Sequence, residues 1–158
     1  MSIDPILGIK KKLYHVMGCE IYEGFHKSIA AEIMEHKLYD HDGFFQYIIP
    51  DYCPRLLAVY RKNNKIVSYT LLFRDSSHYR YTADYMIGLW TKPGERKQGY
   101  ARLTSDAIAL VLRNKLEIFE TEIDFKIWFS PPHKYLPVYH KIFNNMPRKV
   151  NILYSQRN

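Results

Sequence analysis

Residues 81–116 read YTADYMIGLWTKPGERKQGYARLTSDAIALVLRNKL and pass from an extended segment through a polar loop into a helix. The segment 81–91 is rich in aromatic and branched residues, as strands are. Pro93 removes a ladder donor and Gly94 weakens extended structure, so the strand ends there. The loop continues as Glu95-Arg96-Lys97-Gln98-Gly99-Tyr100-Ala101. Beyond it Leu103, Ala107, Leu110 and Val111 recur at helical spacing, which predicts one apolar face on a long helix.

A strand entering a helix through a basic, glycine-containing loop suits a phosphate group. The first N–H groups of a helix have no internal partner, and the helix dipole places partial positive charge beside them. Gly99 allows a tight turn and a close approach of backbone to an anion. Arg96, Lys97 and Arg102 add formal charge around the same turn. The plainer alternative is an ordinary strand-to-helix connection with a solvated basic rim, because short glycine motifs are unspecific.

The chain's 158 residues match one domain, 1–158, with room for a core. A net charge of +7 favours polyanionic partners over small polycations. Fourteen tyrosines exceed ordinary usage and suit pockets, interfaces and half-buried sheets alike. Cys19 and Cys53 form no C-x-x-C pair, so neither a disulfide framework nor a zinc pattern is expected. A reducing, cytoplasmic setting is the default expectation. The N-terminal residues lack a basic segment followed by an apolar run, and no apolar stretch reaches the ~20 residues a membrane helix needs.

The first fifty residues read as mixed and mostly helical, with Phe25, Ile29, Ile33 and Leu38 at roughly helical spacing over 22–38. The segments 56–61 and 65–74 read as strands joined by a tight turn at Asn63-Asn64, since asparagine tolerates positive φ. With 81–91 they make a three-stranded antiparallel meander. Residues 123–129 read as a central strand ended by Ser130-Pro131-Pro132. A short helix over 135–143 and a last strand over 149–154 complete a mixed α/β layer.

The loop Arg96-Lys97-Gln98-Gly99-Tyr100-Ala101 resembles the R/Q-x-x-G-x-G/A motif of the GNAT-type N-acetyltransferase superfamily. Pro93 stands three residues before the arginine, as is common there. Val138-Tyr139-His140-Lys141-Ile142-Phe143 is similar to the family's second short motif, an L-Y-x-x-x-G-F-like helix end. With the order of elements, the resemblance covers about residues 10–154. It implies an α/β (α+β mixed) fold: a central, mostly antiparallel mixed sheet with one splayed pair of strands and flanking helices.

The resemblance further implies acetyl-CoA as cosubstrate and direct transfer of its acyl group to a primary amine. The diphosphate would lie on Arg96, Lys97, Gln98, Gly99, Tyr100, Ala101 and Arg102, and the pantetheine arm along Leu89, Trp90 and Thr91. The Leu89 N–H would steady the thioester oxyanion, and Tyr139 would protonate the departing thiolate. A core tyrosine is the plainer reading of Tyr139. The sequence departs from the family in three places. Tyr85 stands on the strand face that often presents a catalytic glutamate, and Asp84 points to the other face unless a bulge reorients it. The base is therefore open among Asp84, Tyr85 and water. The glycine of the second motif is missing, and Ser130-Pro131-Pro132 replaces an asparagine that often contacts pantetheine.

Other polar residues read more plainly. His133, just past the 123–129 strand, could reach a cofactor or acceptor, but a lone loop histidine is more often a solvated surface residue. Glu35, His36, Asp40 and His41 lack a further ligand to complete a metal site, so no metal is expected. The aromatic run 39–52 suits an acceptor wall or a helix-turn packed on a sheet. A rival from another class is a non-catalytic basic module on the same scaffold. Its partner would be nucleic acid or an acidic protein, gripped by cations and stacking aromatics.

Overall fold

Met17 and Gly18 both hold positive φ, 54° and 79°, in a two-residue turn whose twist suits a hairpin. The turn joins β1 (Lys12–Val16) to β2 (Cys19–Glu23), paired antiparallel from Val16↔Cys19 to Lys12↔Glu23. The expectation of a mostly helical start is thus corrected, since Lys12–Val16 and Cys19–Glu23 are strands. Their signal is a period of two, with Cys19, Ile21 and Glu23 on one face and Glu20 and Tyr22 on the other. It is too short to outweigh the helical spacing that follows. Gly24, at φ 77°, ends β2 and donates its N–H to Arg55 O at 2.9 Å. The helix proper is α1, Lys27–Glu35, which buries Ile29, Ala30 and Ile33. Phe25 and Leu38 pack at its margins, outside it.

A computed structural model of the chain describes residues 12–39, 54–73, 85–116, 123–129, 140–148 and 150–156. Asn63 and Asn64, at φ 55° and 63°, turn β3 (Pro54–Lys62) into β4 (Lys65–Phe73) as their chemistry requires. The meander closes with β5 (Tyr85–Thr91), antiparallel to β4. Next come α2 (Tyr100–Leu116), β6 (Ile123–Phe129) and β7 (Val150–Gln156). The seven strands of the described residues join one mixed sheet in sequence order, with β5, β6 and β7 mutually parallel. Of the expected helix over 135–143, the described part is helical at 140–142.

The two faces carry separate cores. α1 covers Leu57, Val59, Tyr69, Leu71, Met86 and Trp90. α2 covers Ile21, Leu56, Ala58, Leu72, Tyr85, Ile87 and Phe125. Its buried stripe is Thr104, Ala107, Ile108, Val111 and Leu112, whereas Leu110 is 38% exposed. Leu110 therefore leaves the expected face. It lies two positions, or about 200°, from Ile108, while the 3–4 spacing passes through 104, 107, 108 and 111. Among the described residues no helix is long and apolar enough to cross a membrane.

Cys19 is fully buried, and burial pushes its thiol from an ordinary 9.0 up to about 11. Between those values the unfolded chain releases a proton that the folded chain keeps, so stability falls as pH rises through the window. The expected loss is about 2–3 kcal/mol by pH 11. Cys19→Ala should flatten that part of an unfolding-versus-pH series. The decline due to Tyr14 and Tyr22, both pushed up to about 12 chiefly by burial, should persist.

Candidate functional site

Lys92 donates its N–H to Val67 O at 2.8 Å, which fixes the phase of the β4–β5 ladder. Backbone groups of alternate residues in an antiparallel strand point to opposite sides. Trp90 and Gly88 therefore bond to β4, while Ile87, Leu89 and Thr91 direct N–H and C=O towards β6. Yet β5 pairs with β6 only at Tyr85↔Phe125 and Met86↔Lys126. From residue 127 onward β6 continues on β7 alone, through Ile127↔Tyr154 to Phe129↔Gln156. The two parallel strands part after Met86, and the Leu89 N–H faces the gap with no ladder partner among the described residues.

The gap opens immediately before the basic loop. Glu95 donates its N–H to Lys92 O at 2.9 Å, closing a turn with Pro93 and Gly94 at its centre. Gly94 has φ 94°, as the third position of a type II turn demands. Next, φ is positive at Lys97 (68°) and Gly99 (84°) but not at Arg96 or Gln98. Alternation of this kind curls successive N–H groups into a concavity suited to anions. Gly99 O accepts the Leu103 N–H at 3.0 Å, which makes Gly99 the residue that opens α2. Glycine offers no capping side chain, and the first turn has no acid. Among the described residues the Tyr100, Ala101 and Arg102 N–H groups therefore find no acceptor. A Cβ built at Gly99 would meet nothing within 4 Å, so the concavity is open.

Charge around this turn is positive and exposed at Lys92, Arg96, Lys97 and Arg102. The nearby acid, Glu95, is paired with Lys62 at 3.3 Å. Arg96 Nε donates to Thr91 O at 3.1 Å, folding the loop back onto the end of β5. Tyr100 stacks on Tyr60 with ring centroids 4.9 Å apart. Beneath the first turn of α2, Thr70 Oγ1 lies 2.8 Å from Thr104 Oγ1 and 3.0 Å from Ser105 Oγ, all wholly buried. This hydroxyl cluster pins the helix start to β4. Thr70→Val should lower stability by about 1–2 kcal/mol by taking the Thr70 partner from both helix hydroxyls, of which Thr104 keeps its bond to Ala101 O at 3.2 Å. The check is a lower denaturant midpoint at unchanged slope.

Leu89, Thr91 and the loop 96–102 thus come together at the ends of β5 and α2. Trp90 does not join them. Its indole is buried on the α1 face against Tyr69 at 5.6 Å, and Ser68 Oγ donates to its carbonyl at 3.1 Å. Tyr85 is 1% exposed and meets Phe125 edge-on in the core. Tyr139, Asp84, His133, Asp40, His41, Ser130-Pro131-Pro132, Cys53 and positions 40–52 of the aromatic run lie outside the described residues. His36 is exposed at the end of α1, and no group of three metal-type ligands forms among the described residues.

A cleft of about 310 Å³ adjoins the helix start, lined by Arg102, His140, Lys141 and Asn144. Sequence reasoning assigned no role to the last three. It also missed Tyr60 and the hydroxyls of Thr70, Thr104 and Ser105. The one available signal was the Thr104-Ser105 pair inside a helix, where such residues need a reason. No family model matches this chain, and the searches of curated proteins and of solved structures each returned no match.

Proposed function

We propose that the protein is an acetyl-CoA-dependent N-acetyltransferase with a GNAT-like fold, moving an acyl group to a primary amine. The observation that carries this reading is the Leu89 N–H aimed into the β5–β6 gap directly before the open concavity at 96–102. The gap suits an extended pantetheine arm, which would bond to strand backbone as a missing neighbour would. The concavity and the free N–H groups of Tyr100, Ala101 and Arg102 suit its diphosphate. One ligand carrying both parts fits the two features together.

In the proposed reaction the neutral amine attacks the thioester carbonyl carbon, forming a C–N bond and an oxyanion. The Leu89 N–H stabilises that oxyanion by a preorganised hydrogen bond. Collapse breaks the C–S bond, and the thiolate takes a proton from Tyr139, whose role rests on the motif resemblance. The nitrogen sheds its extra proton to solvent or to a base on this chain, and the Tyr139 phenolate regains one from solvent, which restores the balance.

The test is calorimetric titration with acetyl-CoA followed by an acetyl-transfer screen over amines, peptides and nucleic acids. Binding in the micromolar range and transfer to at least one amine are expected. Tyr139→Phe should slow turnover about 10²-fold while leaving acetyl-CoA affinity nearly intact. Full activity in that variant would remove Tyr139 from the mechanism.

The exposed cations Lys92, Arg96, Lys97 and Arg102 beside the Tyr60–Tyr100 stack favour a second reading, a non-catalytic module for nucleic acid. Affinity for single strands that falls steeply with salt, without acetyl-CoA binding, would select it.

A further inference from the structure

We propose that the cleft between the first turn of α2 and residues 140–144 is a second anion subsite. It would take a phosphomonoester borne by the same nucleotide whose diphosphate occupies the helix start. The proposal rests on the acetyl-CoA reading above and adds a determinant of which coenzyme is accepted.

Position argues first. Arg102 is the third residue of α2, so its backbone N–H belongs to the unsatisfied set while its side chain lines the cleft. The two subsites therefore lie one arginine side chain apart, a separation that two phosphate groups on one nucleotide can span. Lining argues second. Two formal cations, Arg102 and Lys141, come from separate segments and meet His140 and the Asn144 amide around about 310 Å³. That set recognises phosphate oxygens by charge-assisted hydrogen bonds. Among the described residues that line the cleft there is no aromatic ring to stack a base.

The walls of the cleft are fastened to each other. Arg113 Nη2 donates to Asn145 O at 2.6 Å, and Asn145 Nδ2 donates to Asp106 Oδ1 at 3.1 Å. Ile142 and Phe143 anchor the same segment in the core under α2. Asp106 is the adjoining carboxylate, and its charge opposes an anion. It is already engaged by Asn145 and lies 3.9 Å from Arg102 Nε, an ion-pair distance too long for a hydrogen bond.

The experiment compares coenzyme A with 3′-dephospho-coenzyme A by calorimetry, using the full chain and its Lys141→Met variant. Lys141 is exposed, and unchanged thermal unfolding confirms that the variant folds. The wild type should prefer coenzyme A by about tenfold. Lys141→Met should bring coenzyme A down to the dephospho level and leave the dephospho form unaffected. Equal wild-type affinities, or equal weakening of both ligands by the substitution, would overturn the subsite and leave the acyltransferase reading standing. Failure to bind either ligand would overturn both, and salt-sensitive binding of a single-stranded oligonucleotide in their place would assign the cations to that partner.

Discussion

Gly99→Glu is expected to abolish acetyl-CoA binding, weakening it by more than about 10²-fold, while the protein still folds. Position 99 has φ 84°, where an L side chain costs about 1–2 kcal/mol. The space beyond it is open, so no clash with the protein adds to that cost. A carboxylate at the helix start regains part of it, about 0.3–1 kcal/mol, from the dipole. The same carboxylate occupies the concavity and repels a diphosphate. It also competes for the Tyr100, Ala101 and Arg102 donors, each bond to a charged group being worth about 1.5–3 kcal/mol. Gly99→Ala separates the two effects. It carries the φ penalty without the charge, so it should bind acetyl-CoA within about tenfold of wild type and lose similar stability. Calorimetry beside thermal unfolding reads both quantities. Wild-type binding by the glutamate variant would place the diphosphate elsewhere.

The second large effect concerns stability. Arg61→Met should cost about 2–3 kcal/mol, read as a lower denaturant midpoint. Arg61 Nη1 and Nη2 both donate to the Glu32 carboxylate at 2.7 Å, and Nε donates to Glu20 at 2.9 Å. A further bond reaches Asn64 O at 3.2 Å. One guanidinium thus ties α1 to β2, β3 and the β3–β4 turn. The bonds to Glu32 hold its proton more firmly than usual, against the opposing effect of burial. Its raised pKa means the contribution is fully present below the ordinary arginine range and is lost only far above it. The effect should therefore be the same at pH 6 and pH 9. The three side chains are 23–30% exposed, so solvent screening trims the figure below that of a dry pair. A double-mutant cycle with Glu32→Gln should show coupling above about 1 kcal/mol. Coupling near zero would reduce the network to an ordinary surface contact.

Legibility followed the range of the interactions. The Asn63-Asn64 turn, the Pro93-Gly94 stop and the strand–loop–helix order over 85–116 were readable because neighbouring residues set φ and periodicity. The hairpin of β1 and β2 was not, because two five-residue strands give a weak alternation and the turn residue Met17 is no usual bearer of positive φ. Leu110 was placed on the wrong side of α2 because the buried stripe is set by what the sheet offers, including the hydroxyls of Thr70. Of the positions that the resemblance names, 89, 91 and 96–102 lie together at the ends of β5 and α2. Trp90 was named with them, but the phase of the ladder turns its backbone to β4 and its indole to the opposite face.

By itself the sequence determined what adjacent residues decide: where strands stop, where φ must be positive, where helix dipole and basic side chains coincide. Only the tertiary structure decided that β5 loses its neighbour after Met86, that Thr70 meets Thr104 thirty-four positions on, and that Arg102 shares a cleft with Lys141. These depend on register and packing between distant segments, where each contact is fixed by the sum of many others. No local pattern encodes that sum.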